Sequence, residues 1–242
     1  MYFQIPFIVV EMFNNRITIM LLFLPERSKA VLPQDKNSKE LNCYFASLPL
    51  FLQQHCRMVG IYVRLFAREV LAESSAEFPL YAQGWSLSDL SRLGFYHDIG
   101  KSGIANSIWS HTGALNQEER NLVQSHTVLG ARLILGKLPP FGGDSSTPTL
   151  RDTLAQCCLY HHERWDGNGY PFGLSGKTIP YFARMVGIAD AFDAMTANRP
   201  YHRGIPVQDA LSEIQVSAGT QFDPVLAERF CSILRQRSRQ PL

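Results

Sequence analysis

The 242-residue chain is 45% apolar and 18% charged, with a formal net charge of +2. That balance excludes an intrinsically disordered protein and provides no broad basic face for a nucleic acid polymer, so an anionic ligand has to be met locally. The five cysteines, Cys43, Cys56, Cys157, Cys158 and Cys231, lack CxxC spacing and sit in apolar contexts, which reads as reduced, buried thiols in a cytoplasmic protein.

Residues 1 to 24 are strongly apolar, but Glu11, Asn14, Asn15 and Arg16 interrupt them before the roughly 20 residues that a membrane helix needs. No basic region precedes the run and no small-residue cleavage site follows it, so neither a membrane span nor a signal peptide is expected. β-branched and aromatic residues on both sides of Asn14-Asn15 predict a short N-terminal β-hairpin. Residues 25 to 40, PERSKAVLPQDKNSKE, are polar with two prolines and read as a linker. Residues 1–40 are therefore expected to stand apart, as the remnant of a regulatory domain or part of a homodimer contact, with 41–242 forming the main domain.

Helical spacing of apolar residues runs from about Leu41 to Ala72 and includes His55. A second helix starts near Ser88 in SLSDLSRLGFYHDIGK and ends at Gly100, which puts His97 and Asp98 at its C-terminal end. Asn116 and Glu119 form an N-x-x-E capping box for a helix to about Leu138 that carries His126. PPFGGDSSTP, 139–148, reads as a loop. A helix from about Leu150 delivers His161 and His162, and Gly167, Gly169 and Pro171 break it directly afterwards in HHERWDGNGYP. TIPYFARMVGIADAFDAMTAN, 178–198, is a long apolar helix containing Asp190 and Asp193, and GTQFDPVLAERFCSIL supplies a turn and a last helix.

Imidazoles and carboxylates in apolar helices cost free energy unless they are paired or coordinated. Adjacent imidazoles such as His161 and His162 can reach one metal ion, and a single carboxylate such as Asp98 can bridge two divalent ions about 3.5–4 Å apart. Other readings stand beside these. His55 alone could be a packed core residue, His126 could lie on a solvated face with Gln124 and Ser125, and Lys101 could simply be a favourable charge at a helix C-terminus. Glu163 could orient a ligand or pair with Arg164, and Asp193 reads as a hydrogen-bonded structural acid. Trp165, Asp166 and Tyr170 belong to the loop, where the rings offer stacking faces or pin the loop to the core.

The segments HDIGK, HHERWDGNGYP and ARMVGIADAFDAMTANRPY resemble the HD-GYP subgroup of the HD metal-dependent phosphohydrolases, over roughly residues 41 to 235. The resemblance implies a mainly α fold, an HD-type helical bundle completed by a GYP extension after Asp190. It implies that His55, His97, Asp98 and Asp190 hold one divalent ion and that Asp98, His126, His161 and His162 hold another. Such a mixed imidazole and carboxylate set suits iron or manganese, with zinc or nickel also compatible in ligand type. Asp98 and Lys101 would be the catalytic residues, with Lys101 and Arg199 on the phosphate and Gly169, Tyr170 and His202 on the substrate.

The implied activity is hydrolysis of cyclic di-GMP to linear pGpG, with a second step to GMP left open. One alternative is another cyclic dinucleotide such as cyclic GMP-AMP. Another is a catalytically weak receptor that signals through GYP-loop contacts to diguanylate cyclases or adaptor proteins. Three positions depart from the family pattern: His202 stands where Lys or Arg is usual, and Ala105 and His111 where Pro and Lys are usual. Some members carry a Glu one turn before the first His that helps bind a third metal, whereas this chain has Phe51, so a dinuclear centre is expected.

Overall fold

The computed structural model describes residues 38–72, 78–109, 113–136, 148–198 and 203–238, together with the backbone of 5–13 and 16–24. Two compact units divide the chain, 1–34 and 35–242. In the first, strands β1 (Ile5–Phe13) and β2 (Arg16–Leu24) pair antiparallel with Phe13 opposite Arg16.

The second unit is helical. Its order is α1 (Ser38–Ala46), α2 (Leu50–Ala72), α3 (Leu87–Phe95), α4 (Asn106–Trp109), α5 (Gln117–Gln124), α6 (His126–Leu135), α7 (Leu150–Tyr160), α8 (Tyr181–Thr196), α9 (Val207–Val216) and α10 (Pro224–Ser238). The continuous helix expected from Leu41 to Ala72 is two helices. Pro49 lacks an amide hydrogen and biases its predecessor away from helical geometry, so α1 stops at Ala46 and α2 restarts at Leu50. The helix expected near Ser88 is capped two residues earlier. Ser86 Oγ accepts from Asp89 N, and Asp89 Oδ2 accepts from Ser86 N, both at 3.1 Å.

α3 also ends before Gly100, and a 3-10 turn over Ile99–Gly103 follows it. The helix expected through Leu138 divides at Ser125 into α5 and α6, and α6 closes where Gly136 turns to a positive φ of 74°. The loop read at 139–148 lies, apart from Pro148, outside the described residues. Cys43 is exposed on the outward side of α1, a correction to the expected burial, while Cys56, Cys157, Cys158 and Cys231 are buried.

The core lies between α2, α3, α7, α8 and α10, where Val63, Phe66, Leu90, Met185, Phe192 and Phe230 are buried. Each such side chain contributes about 1.5–3 kcal/mol by leaving water. One close approach positions the site: a Cβ at Gly100 would lie 1.9 Å from the His126 carbonyl oxygen. Only a glycine lets the turn after His97-Asp98 rest directly on the start of α6. Among the described residues no helix is long and apolar enough to cross a membrane.

Candidate metal centre

Three helices end at one place. The last carbonyls of any helix lack partners within it, and here an imidazole following each helix end takes one of them. His97 Nδ1 donates to Gly94 O at 2.6 Å after α3, and His126 Nδ1 to Val123 O at 2.6 Å after α5. After α7, His161 Nδ1 lies 2.8 Å from Cys157 O and 3.0 Å from Cys158 O. His55, buried on α2, uses a carboxylate for the same purpose, with Nδ1 2.6 Å from Asp193 Oδ2. These bonds place a hydrogen on Nδ1 in all four rings and turn Nε2 inward.

Asp98 stands between the inward nitrogens. Its Oδ1 is 3.2 Å from His126 Nε2 and 3.7 Å from His161 Nε2, while its Oδ2 is 3.4 Å from His97 Nε2 and 3.7 Å from His55 Nε2. Asp190 Oδ1 closes the second side, 2.9 Å from His55 Nε2 and 3.6 Å from His97 Nε2. The His162 ring completes the first side, with its centroid 4.0 Å from that of His161 and 5.1 Å from that of His126. Asp98, His126, His161 and His162 form one group with donor atoms within 4.8 Å of one another, and His55, His97 and Asp98 form another.

This donor set fits divalent cations. His97 Nε2 and Asp98 Oδ1 are buried without a hydrogen-bond partner among the described residues, a cost of about 1–3 kcal/mol for each such atom. A cation removes that cost. The convergence of three helix C-termini adds partial negative charge around the same point.

The electrostatics are uneven across the cluster. Burial opposes the charged form of His97, yet Asp98 and Asp190 raise its pKa to about 10. His55 is likewise raised, by Asp190 and Asp193 against burial. On the other side, burial and the neighbouring His126 lower His162 to about 3, and burial with His162 and His97 holds His161 well below its ordinary value. Asp98 stays ionised because Lys101 and His97 overcome the penalty of burial. The metal-free centre therefore favours a charged ring at His97 and neutral rings at His161 and His162.

Lys101 Nζ lies 2.5 Å from Asp98 Oδ2 and 5.7 Å from the centroid of the Trp109 ring. Tyr170 stacks on His162, and Gly169 packs against the His162 backbone, where a Cβ would come within 2.6 Å of its carbonyl oxygen. Among the described residues no hydrogen bond or ion pair joins Glu163 to an imidazole or to Arg164. The Glu163 carboxylate accepts from Phe172 N at 2.8 Å and Leu174 N at 3.0 Å, while Arg164 pairs with Asp166 at 2.8 Å. Arg184 stacks over Trp165 and pairs with Asp223, so Trp165 serves to anchor the loop. A cavity of about 260 Å³ opens beside the cluster, lined by His162, Tyr170, Trp165, Arg184 and Asp190 among others.

Arg199, His202 and His111 lie outside the described residues. Ala105 is exposed, and Phe51 is half-buried against the core. Sequence reasoning missed the partners of the ring nitrogens. The carbonyls of Gly94, Val123 and Cys157 carry no signal in residue type, but a His just beyond a predicted helix end is itself a pointer to such a bond. Trp109 beside Lys101 was also missed.

A helical bundle whose helix ends bring His-Asp and His-His pairs to a common point defines an HD-type protein. An HD domain family model matches residues 47–226. The chain belongs to the HD domain family, and its HDIGK and HHERWDGNGYP segments place it in the HD-GYP group. It is 38% identical over 140 residues to a cyclic di-GMP phosphodiesterase of Thermotoga maritima, covering 58% of this chain and 36% of that protein. It is 37% identical over 170 residues to 3'3'-cGAMP-specific phosphodiesterase 3 of Vibrio cholerae, covering 70% and 32%. This chain thus spans about a third of the length of these two curated relatives. Bd1817, an HDG"Y"P protein from Bdellovibrio bacteriovorus, shares the fold with a TM-score of 0.52 at 16% identity, over 82% of this chain and 58% of that one.

Proposed function

We propose that this domain hydrolyses a phosphodiester bond of a cyclic dinucleotide, cyclic di-GMP, to give linear pGpG, the substrate of any further step to GMP. The observation that carries the reading is the set of four imidazoles anchored at Nδ1 with Nε2 turned onto Asp98 and Asp190. His55, His97, Asp98 and Asp190 would hold one divalent ion, and Asp98, His126, His161 and His162 would hold the second, with iron or manganese favoured by the mixed donors. Such ions supply Lewis-acid polarisation of phosphoryl oxygens and lower the pKa of water.

The chain's own groups do the rest. Asp98 offers one oxygen to each donor group. Lys101 has three hydrogens on Nζ, and with one directed at Asp98 the others remain for a phosphate oxygen. Arg199 is assigned to the phosphate by its position in the family motif, with His202 three residues further on in the sequence. Tyr170 and Gly169 border the cavity next to the cluster, and aromatic faces there suit a nucleobase. The exposed loop residues Asp166, Asn168 and Gly173 are the surface assigned to a diguanylate cyclase or adaptor protein.

A second substrate, 3'3'-cGAMP, is favoured by one observation: the match to the Vibrio cholerae enzyme extends over 70% of this chain. Incubation of metal-loaded protein with each dinucleotide, followed by product identification, tests both. Linear pGpG from cyclic di-GMP supports the first reading, turnover of 3'3'-cGAMP alone supports the second, and binding of either without turnover leaves a receptor.

A further inference from the structure

Four imidazoles of the cluster are held by a hydrogen bond at Nδ1, whereas the ring of His162 is held by a face. Tyr170 lies on it with centroids 4.7 Å apart and planes 26° from parallel, within the range of offset stacking. The loop is folded to deliver that ring. Glu163, only 7% exposed, accepts from the amides of Phe172 and Leu174 at 2.8 and 3.0 Å. Tyr170 N donates to His162 O at 3.2 Å. Gly169 permits this return, since a Cβ there would lie 2.4 Å from Arg164 N. The segment from Glu163 to Leu174 thus doubles back over the His pair and presents Tyr170 to His162.

We propose that Tyr170 is a positioning residue, whose ring fixes the plane of His162 so that this imidazole can share a divalent cation with Asp98, His126 and His161. The inference rests on the reading of His162 as a metal ligand. Stacking replaces the hydrogen bond that orients the other rings, and losing it frees rotation about the side-chain torsions of His162. Partners that orient a metal-bound His affect metal affinity by about 10–100-fold. The phenol oxygen has no part in this, so the face of the ring alone matters.

The test is Mn²⁺ titration of the metal-stripped full chain, read by the electron paramagnetic resonance signal of free Mn²⁺. Tyr170→Phe should bind as the wild type does. Tyr170→Leu should weaken one of two ions by about tenfold or more and leave the other unchanged. In a His162→Ala background, Tyr170→Leu should weaken binding no further, a result that a general loss of loop structure would not give. Tight binding of both ions by Tyr170→Leu overturns the proposal. So does weakening by Tyr170→Phe to the same degree, or further loss on top of His162→Ala. If Tyr170→Leu fails to fold, Tyr170→Gln is read by the same criteria. Wild-type protein that takes up no Mn²⁺ overturns the metal reading itself, and the proposal with it.

Discussion

His55 Nδ1 and Asp193 Oδ2 are 2.6 Å apart, and both side chains are buried. Asp193 stands one turn after Asp190 on α8, so one helix face supplies both a carboxylate to the cluster and a carboxylate behind it. The outer group fixes the ring of His55 and increases its basicity. Asp193→Ala should weaken divalent ion binding by about 10–100-fold while the helix itself persists. Chelator competition on the purified variant checks this. Metal affinity equal to wild type would make Asp193 purely structural.

Lys101→Ala should retain the metals and lose turnover by roughly 100-fold, because its proposed work is on charge at the phosphate. Removing the ammonium leaves Asp98 without its closest partner in the metal-free state, but divalent ions offset that loss once bound. Steady-state kinetics together with metal analysis separate the two effects. Loss of metal in this variant would assign Lys101 to holding Asp98 rather than to catalysis.

Metal binding should release protons. His97 has its pKa raised from 6.5 to about 10, so at neutral pH its ring is charged in the metal-free chain, and Nε2 must lose a proton before it can ligate. Apparent affinity at that side should therefore fall by about tenfold for each pH unit of acidification below 10, per proton displaced. His162, lowered to about 3, is already neutral and adds no such dependence. Calorimetry in buffers of different ionisation enthalpy measures the proton count. Binding with no proton release would contradict the assignment of His97 as a ligand.

The nuclearity turns on Phe51, which lies half-buried one turn before His55. An aromatic ring supplies no anionic oxygen to offset repulsion from a third divalent ion. Without that charge, cleavage of linear pGpG, which carries a terminal phosphate, should lag behind opening of the cyclic substrate. Chromatography of a time course should show pGpG rising before GMP. Phe51→Glu should add a third ion and shorten the lag. A variant that binds no further ion would show that Phe51 does not occupy the Glu position.

The residues of the centre were legible because their types are out of place in their surroundings. Imidazoles and carboxylates at 55, 97, 98, 126, 161, 162 and 190 interrupt apolar helical spacing, and the structure brings these seven together. The capping box at Asn116 marked a helix start equally well, since it is a short-range pattern of side chain and backbone. What escaped was set by tertiary contact. The break at Pro49 was overridden in the reading by strong apolar periodicity on both sides. Glu163 could not be assigned, since the amides it accepts from lie nine and eleven residues later in a loop without periodic pattern. The pairing of Tyr170 with His162 depends on that same fold-back.

The central proposal is that Asp98 would serve both ions, since its Oδ1 faces His126 Nε2 and its Oδ2 faces His97 Nε2. The most direct measurement is the metal-to-protein ratio of anaerobically purified wild type and Asp98→Ala, by mass spectrometry of the loaded chains. The account predicts two ions per wild-type chain and loss of both, with activity, in the variant. Retention of two ions per chain by Asp98→Ala would contradict it.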